Sequence, residues 1–167
     1  SLGGEQGTRF AVVRYGNVLG SNGSVVPFFK KLAAQGELPL TDPRMTRFII
    51  TLDQGVQFVI NSFRKMVGGE VFVPKILSVT LQDIAEAVVP GCKTRIVGIR
   101  PGEKLHEALL TREEAASARE EPGMFVLQHP LPAESGEGFR EEDRYDSRNA
   151  EFLDKQQIKD LLSTSDE

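Results

Sequence analysis

Side chains able to grip an anion or a polar sugar gather in three stretches of the sequence: RYGNVLGSNGSVV at 14–26, LTDPRMTRF at 40–48 and RPGEKLHE at 100–107. The first spaces Gly16, Gly20 and Gly23 behind an apolar run, FAVV, as in a loop whose backbone N–H groups cradle a dinucleotide pyrophosphate. Such a fold also needs a second strand ending in an acidic residue about twenty positions on. Asp42 stands near that distance, but its strand, LPLT, is very short and flanked by prolines, and the glycine spacing matches neither usual fingerprint. Spacing alone therefore favours a glycine-rich strand-to-helix turn over a cofactor loop.

Asn17 offers a donor and an acceptor that can reach a phosphate or sugar oxygen, or can instead support its own turn. Val25 and Val26 open a helix whose free N–H groups point toward an anion, and apolar packing there is compatible with that role. Arg44 and Arg47 carry planar forks suited to phosphate; the commoner alternative is a pair of surface arginines in weak salt bridges. In the third stretch Pro101-Gly102 makes a tight bend that can aim Arg100 inward, while Glu103 can accept from ribose hydroxyls. His106, alone on a short predicted helix, is assigned no role, and Cys92 reads as a bystander in a turn.

The elements that must position these residues alternate between strand and helix, which places the chain in the α/β or α+β class. RFAVV at 9–13 reads as a strand buried on both faces. Ser24 is a plausible N-cap for a helix over 25–34 that stops at Gly36, with Pro27 tolerated in its first turn. The clearest helix starts at Thr51, which forms a capping-box pair with Gln54, and Leu52, Val56, Val59, Ile60 and Phe63 recur on one face. EVFVP at 70–74 and RIVGI at 95–99 read as strands, and Thr80 caps a helix over LQDIAEAVV. RPGEKLHEALL reads as a loop and a short helix, and FVLQH at 125–129 as an edge strand. REEAASAREEPG and the stretch 133–144 are charged, read as exposed helix and mobile loop, and DKQQIKDLL closes the chain as an amphipathic helix. No linker divides the chain, so residues 1–167 form one region with a core over about 9–110 and a charged extension over about 111–167.

With 20 Lys+Arg against 24 Asp+Glu, no basic field exists to hold nucleic acid. One cysteine and two distant histidines give no metal site, and a lone thiol suits a reducing cytoplasm. No apolar run is long enough to span a bilayer, so no membrane contact is expected from this segment.

Taken together, RYGNVLGSNGSVVPFF, LTDPRMTRFIITLDQGVQFV, GGEVFVPK and GIRPGEKLHE closely resemble the nucleotide-sugar 4,6-dehydratases that act on UDP-N-acetylglucosamine, within the extended short-chain dehydrogenase/reductases. The similarity runs from about Arg9 to about Leu110, with a weaker match at YDSRNAEFL. It implies the C-terminal part of a Rossmann-like fold, mainly its substrate-binding subdomain with late sheet strands. Tyr15, Gly16 and Val18 would then approach the cofactor, NADP or NAD. Asn17, Val25, Val26, Thr41, Met45, Arg47, Arg100 and Glu103 would surround the UDP-sugar, with Arg47 nearest the pyrophosphate and Thr41 and Met45 lining the nucleotide pocket. Arg44 could serve a subunit contact.

The resemblance also implies what should lie upstream: a cofactor loop, a Thr-Asp-Lys segment and a Tyr-x-x-x-Lys pair. Tyr15 is followed four positions on by Leu19, and Tyr145 by Asn149, so no catalytic residue is assigned in this chain. The family reaction oxidises the sugar at C4, eliminates water across C5 and C6, and returns the hydride to C6. The expected whole is a cytoplasmic, oligomeric enzyme; this chain by itself should bind no cofactor tightly and turn nothing over. The competing readings are another extended reductase, such as a 4-epimerase, and a non-catalytic sugar-nucleotide-binding module.

Overall fold

A computed structural model describes residues 7–19, 21, 25–33, 36–128 and 144–164. The architecture is mixed α/β, as the alternating pattern implies. Its largest sheet has four strands in the order β1-β5-β10-β9: β1 (Val12–Val13), β5 (Glu70–Pro74), β10 (Met124–Gln128) and β9 (Arg119–Glu121). β1 runs parallel to β5, and β10 runs antiparallel to both β5 and β9. Every residue of EVFVP is buried, and its alternation divides the core. Val71 and Val73 face Phe48, Leu110 and Leu127, while Phe72 faces Phe58, Met124 and Val126.

A second sheet joins β2 (Asn17–Val18), β4 (Thr46–Ile50) and β6 (Ser78–Thr80). Phe48 and Ile49, adjacent on β4, point into different apolar clusters, so this strand pins the two layers together. The Ile49 cluster is closed by α1 (Val25–Ala33), α3 (Leu81–Val88) and α5 (Lys155–Thr164), which contribute Phe29, Ile84 and Ile158. Two short pairs complete the fold: β3 (Glu37–Leu40) parallel to β7 (Lys93–Ile96), and β8 (Ala108–Leu110) antiparallel to β11 (Tyr145–Asp146). α2 (Leu52–Lys65) carries the capping box read from Thr51 and Gln54, and Thr80 caps α3 by accepting from the Asp83 N–H. α4 (Arg112–Ser117) buries no residue, in keeping with an exposed charged helix, but Arg119–Glu121 of REEAASAREEPG is neither helix nor loop: it is β9, drawn into the sheet by pairing with β10.

Several expectations are corrected. FVLQH is no edge strand: β10 has a partner on each side. RPGEKLHEALL forms no helix, because neighbouring segments use its backbone. The Thr46 N–H donates to the Leu105 carbonyl and the Ser147 N–H to that of Glu107, and the segment then enters β8. RFAVV is not buried on both faces: Phe10 and Val12 are exposed, and β1 forms an edge of its sheet among the described residues. The apolar stripe of α2 likewise faces outward. Phe63 is 74% and Leu52 65% exposed, while Phe58 and Ser62 face the core. The expectations that rest on Gly20, Gly23, Ser24, Ala34, His129 and residues 133–143 lie outside the described residues.

Candidate functional site

The glycine question is answered by packing. A Cβ on Gly16 would stand 2.4 Å from the Phe48 Cβ, so this glycine lets β2 lie close against β4. The strand before Asp42 pairs with β7, away from β1, and Asp42 is tied to Arg44 through the Arg44 N–H at 2.8 Å and its Nε and Nη2 at 3.0 and 2.7 Å. Those bonds, side chain foremost, hold the carboxyl down at about 2.

Six of the residues selected for the substrate, with Val18 from the cofactor set, converge instead on one cleft of about 790 Å³, a size suited to a small organic ligand. Asn17 reaches it from β2, Val26 from the first turn of α1, Thr41 from the end of β3 and Arg47 from β4; Arg100 and Glu103 come from the bend after β7. Parallel pairing of β3 with β7 brings Thr41 beside Val97, which places two segments more than fifty residues apart on one wall. Nothing is described of the Val25 side chain, although α1 begins there.

Met45 does not line the cleft. It is fully buried beneath it, and its thioether accepts from Arg47 Nη2 at 2.8 Å. Arg47 Nη1 donates to the carbonyls of Thr46 and Leu105, at 2.8 and 3.3 Å. Its two carboxylate neighbours, Glu107 and Glu103, stand 3.6 and 3.8 Å away. Uncharged acceptors thus fix the guanidinium, while both carboxylates stay beyond hydrogen-bond distance and leave its fork to be approached by an anion. Arg100 is exposed, and its backbone N–H donates to Glu103 Oε2 at 3.2 Å across the Pro101-Gly102 bend.

Tyr15 and Val18 border a second concavity of about 210 Å³ with Leu52, Gly55, Val56, Val59 and Ile60, and Val18 lines both it and the cleft. Among the described residues no cationic side chain lines it. It fits an uncharged ring at most and does not fit the pyrophosphate of a dinucleotide.

Two residues without a role in the sequence reading support the site. Glu107 takes the Asn17 amide and the Phe48 N–H, and its place at the end of RPGEKLHE was the one signal for it. Ser147, from the YDSRN tail, is fully buried and ties the cleft floor together: its hydroxyl lies 2.7 Å from Thr46 Oγ1 and accepts from the Glu107 N–H at 2.9 Å. His106 Nδ1 lies 2.7 Å from the same Thr46 hydroxyl.

Burial, assisted by Arg148, Arg144 and Arg47, lowers the His106 pKa from 6.5 against the opposing pull of Asp146. Burial pushes Asp146 upward, but Arg144 and the N–H groups of Arg148 and Asn149 outweigh it and leave the pKa below 3.8. Both folded values lie below the unfolded ones. Each stabilisation is therefore complete above the unfolded pKa and is lost as pH falls below it. Thermal melts should show stability declining first below about pH 6.5 and more steeply below about pH 4. In His106→Gln the first decline should vanish and the second remain.

Comparison with known proteins shows the family. The profile of the polysaccharide biosynthesis protein family matches residues 2–129. A UDP-N-acetylglucosamine 4,6-dehydratase (inverting) of Campylobacter jejuni is 44% identical over 99% of this chain and 48% of its own length. A UDP-glucose 4-epimerase of Rickettsia prowazekii is 36% identical over 95% of this chain and 50% of its own. The X-ray structure of Pen from Bacillus thuringiensis superposes with a TM-score of 0.82 at 33% identity, over 98% of this chain and 52% of that one. The chain thus spans about half the length of these relatives, with the fold of a Rossmann-like extended short-chain dehydrogenase/reductase in its C-terminal region. It belongs to the polysaccharide biosynthesis protein family.

Proposed function

We propose that the complete protein is an NADP-dependent UDP-N-acetylglucosamine 4,6-dehydratase, and that this chain is its substrate-binding region. The observation that carries the reading is the convergence of Asn17, Val26, Thr41, Arg47, Arg100 and Glu103 on one cleft. A nucleotide sugar is a polar hexose and a base joined by a doubly charged pyrophosphate, and it calls for cations between hydrogen-bonding groups. The cleft offers Arg47 and Arg100 beside Asn17, Thr41 and Glu103. The similarity to the Campylobacter jejuni dehydratase supports the reaction.

The rest of the protein supplies the cofactor's phosphate site and the catalytic groups. Its docking surface on this chain is the edge of β1 that no described strand pairs, with the outward apolar face of α2, which leaves Tyr15 and Val18 at the junction. Self-association of the whole enzyme in the cytoplasm fits the family and the lone, half-buried Cys92. Among the described residues no helix is long and apolar enough to cross a membrane.

The test is turnover. The complete protein with NADP and UDP-N-acetylglucosamine should yield a product lighter by one water by mass spectrometry, and this chain alone should yield none. Product from the isolated chain, or none from the complete protein, contradicts the proposal. A product of unchanged mass favours the 4-epimerase reading, which the Rickettsia prowazekii relative supports. A smaller prediction concerns Arg100: Arg100→Ala should weaken UDP-sugar binding by about 1.5–3 kcal/mol, and unchanged affinity in a calorimetric titration removes it as a ligand.

A further inference from the structure

Glu107 lies behind the cleft where β2, β4 and the loop before β8 meet. Its carboxylate oxygens accept from Asn17 Nδ2 at 3.0 and 2.9 Å, and one of them accepts from the Phe48 N–H at 3.0 Å. The same Asn17 nitrogen donates to the Phe48 carbonyl at 3.1 Å. A side-chain amide has two N–H donors. One serves the carbonyl and the other the carboxylate, so both are consumed inside the protein. Turning the amide over would set Oδ1 against a carboxylate and a carbonyl with no proton between them, and that exclusion fixes its orientation. Glu107 is itself braced from the far side: its N–H donates to Ser147 Oγ at 2.9 Å, and its carbonyl accepts from the Ser147 N–H at 2.8 Å.

What Asn17 retains for a ligand is therefore Oδ1, which no donor reaches among the described residues. A bare acceptor repels a phosphate oxygen, which has no proton to give in a neutral-pH diester, and it selects an O–H or N–H group. We propose that Glu107 is a positioning residue that holds Asn17 as an acceptor for a hydroxyl or amide N–H of the sugar nucleotide, leaving the pyrophosphate to Arg47 and Arg100. This rests on the reading of the cleft as a nucleotide-sugar site. It also revises the sequence expectation, in which Asn17 was equally free to donate to phosphate.

The test is a polarity swap in the complete protein, read by calorimetric titration with UDP-N-acetylglucosamine. Asn17→Asp sets two carboxylates against each other and should weaken binding about 100-fold. Adding Glu107→Gln restores a donor–acceptor pair behind the cleft and leaves a carboxylate oxygen facing the ligand, so at least about tenfold should be regained. An asparagine that donates to phosphate could not be rescued this way. A double variant no tighter than Asn17→Asp therefore contradicts the proposal. Should Asn17→Asp not fold, Glu107→Gln alone should lower affinity about tenfold, and unchanged affinity contradicts it. If the wild type binds no UDP-N-acetylglucosamine, the substrate reading fails and the melting temperatures decide on Glu107. The swap should then regain stability lost by Asn17→Asp, and additive losses would overturn the proposal.

Discussion

Arg47→Ala is expected to weaken binding of UDP-N-acetylglucosamine by about 1.5–3 kcal/mol, or roughly 10- to 150-fold. The expectation follows from how the side chain is held. Its Nη groups donate to two backbone carbonyls and a thioether, so the fork is oriented before any ligand arrives, while its carboxylate neighbours stay beyond hydrogen-bond range. Removing it takes away a pre-placed charge and leaves Glu103 facing the ligand's anion with less to balance it. Arg47→Lys should recover little, because an ammonium can reproduce neither the fork nor the carbonyl-and-thioether anchoring. Calorimetric titration measures both variants; an affinity within twofold of wild type for Arg47→Ala would remove it from the site.

The second large effect concerns a surface. Val56→Asp with Phe63→Asp should leave the isolated chain within about 0.5 kcal/mol of its original stability, since both side chains are exposed there. In the complete protein the same pair should cost more than about 3 kcal/mol, because each change buries an unpaired charge at the docking surface. Denaturant unfolding of the two proteins separates the cases, and equal effects in both would show that α2 is not covered by the rest of the protein. The open edge of β1 predicts the same asymmetry in hydrogen exchange: the Val12 and Val13 amides should be better protected in the complete protein.

The parts of the fold legible in the sequence are those decided locally. Thr51 with Gln54, and Thr80 ahead of an apolar periodic run, mark helix starts because capping is settled within one turn. The parts that misled are decided by distant neighbours. The period of Leu52, Val56, Val59, Ile60 and Phe63 says that α2 has an apolar face, and nothing in that period says what covers it. FVLQH has the composition of any short strand, and only pairing with both EVFVP and Arg119–Glu121 makes it central. KLHE lacks a helix because its carbonyls serve Thr46 and Ser147, partners some sixty and forty residues away.

The candidate site follows the same division. Asn17, Arg47, Arg100 and Glu103 stand out as residue types able to bind a polar anion, and the family resemblance ranked them. Met45 was assigned to the pocket wall by that resemblance alone and proves to lie underneath it, where its sulfur steadies Arg47. Glu107 escaped notice because a glutamate on a polar segment reads as solvated. Its importance arises only from the juxtaposition of β2, β4 and the loop before β8.

One cleft, between the β3/β7 pair, α1 and β4, is proposed to hold a nucleotide sugar. A crystal structure of the complete protein with UDP-N-acetylglucosamine tests it most directly. The pyrophosphate should lie within hydrogen-bond distance of the Arg47 guanidinium, with an O–H or N–H of the ligand donating to Asn17 Oδ1. A ligand seated elsewhere, or a phosphate oxygen placed against Asn17 Oδ1, would contradict the account.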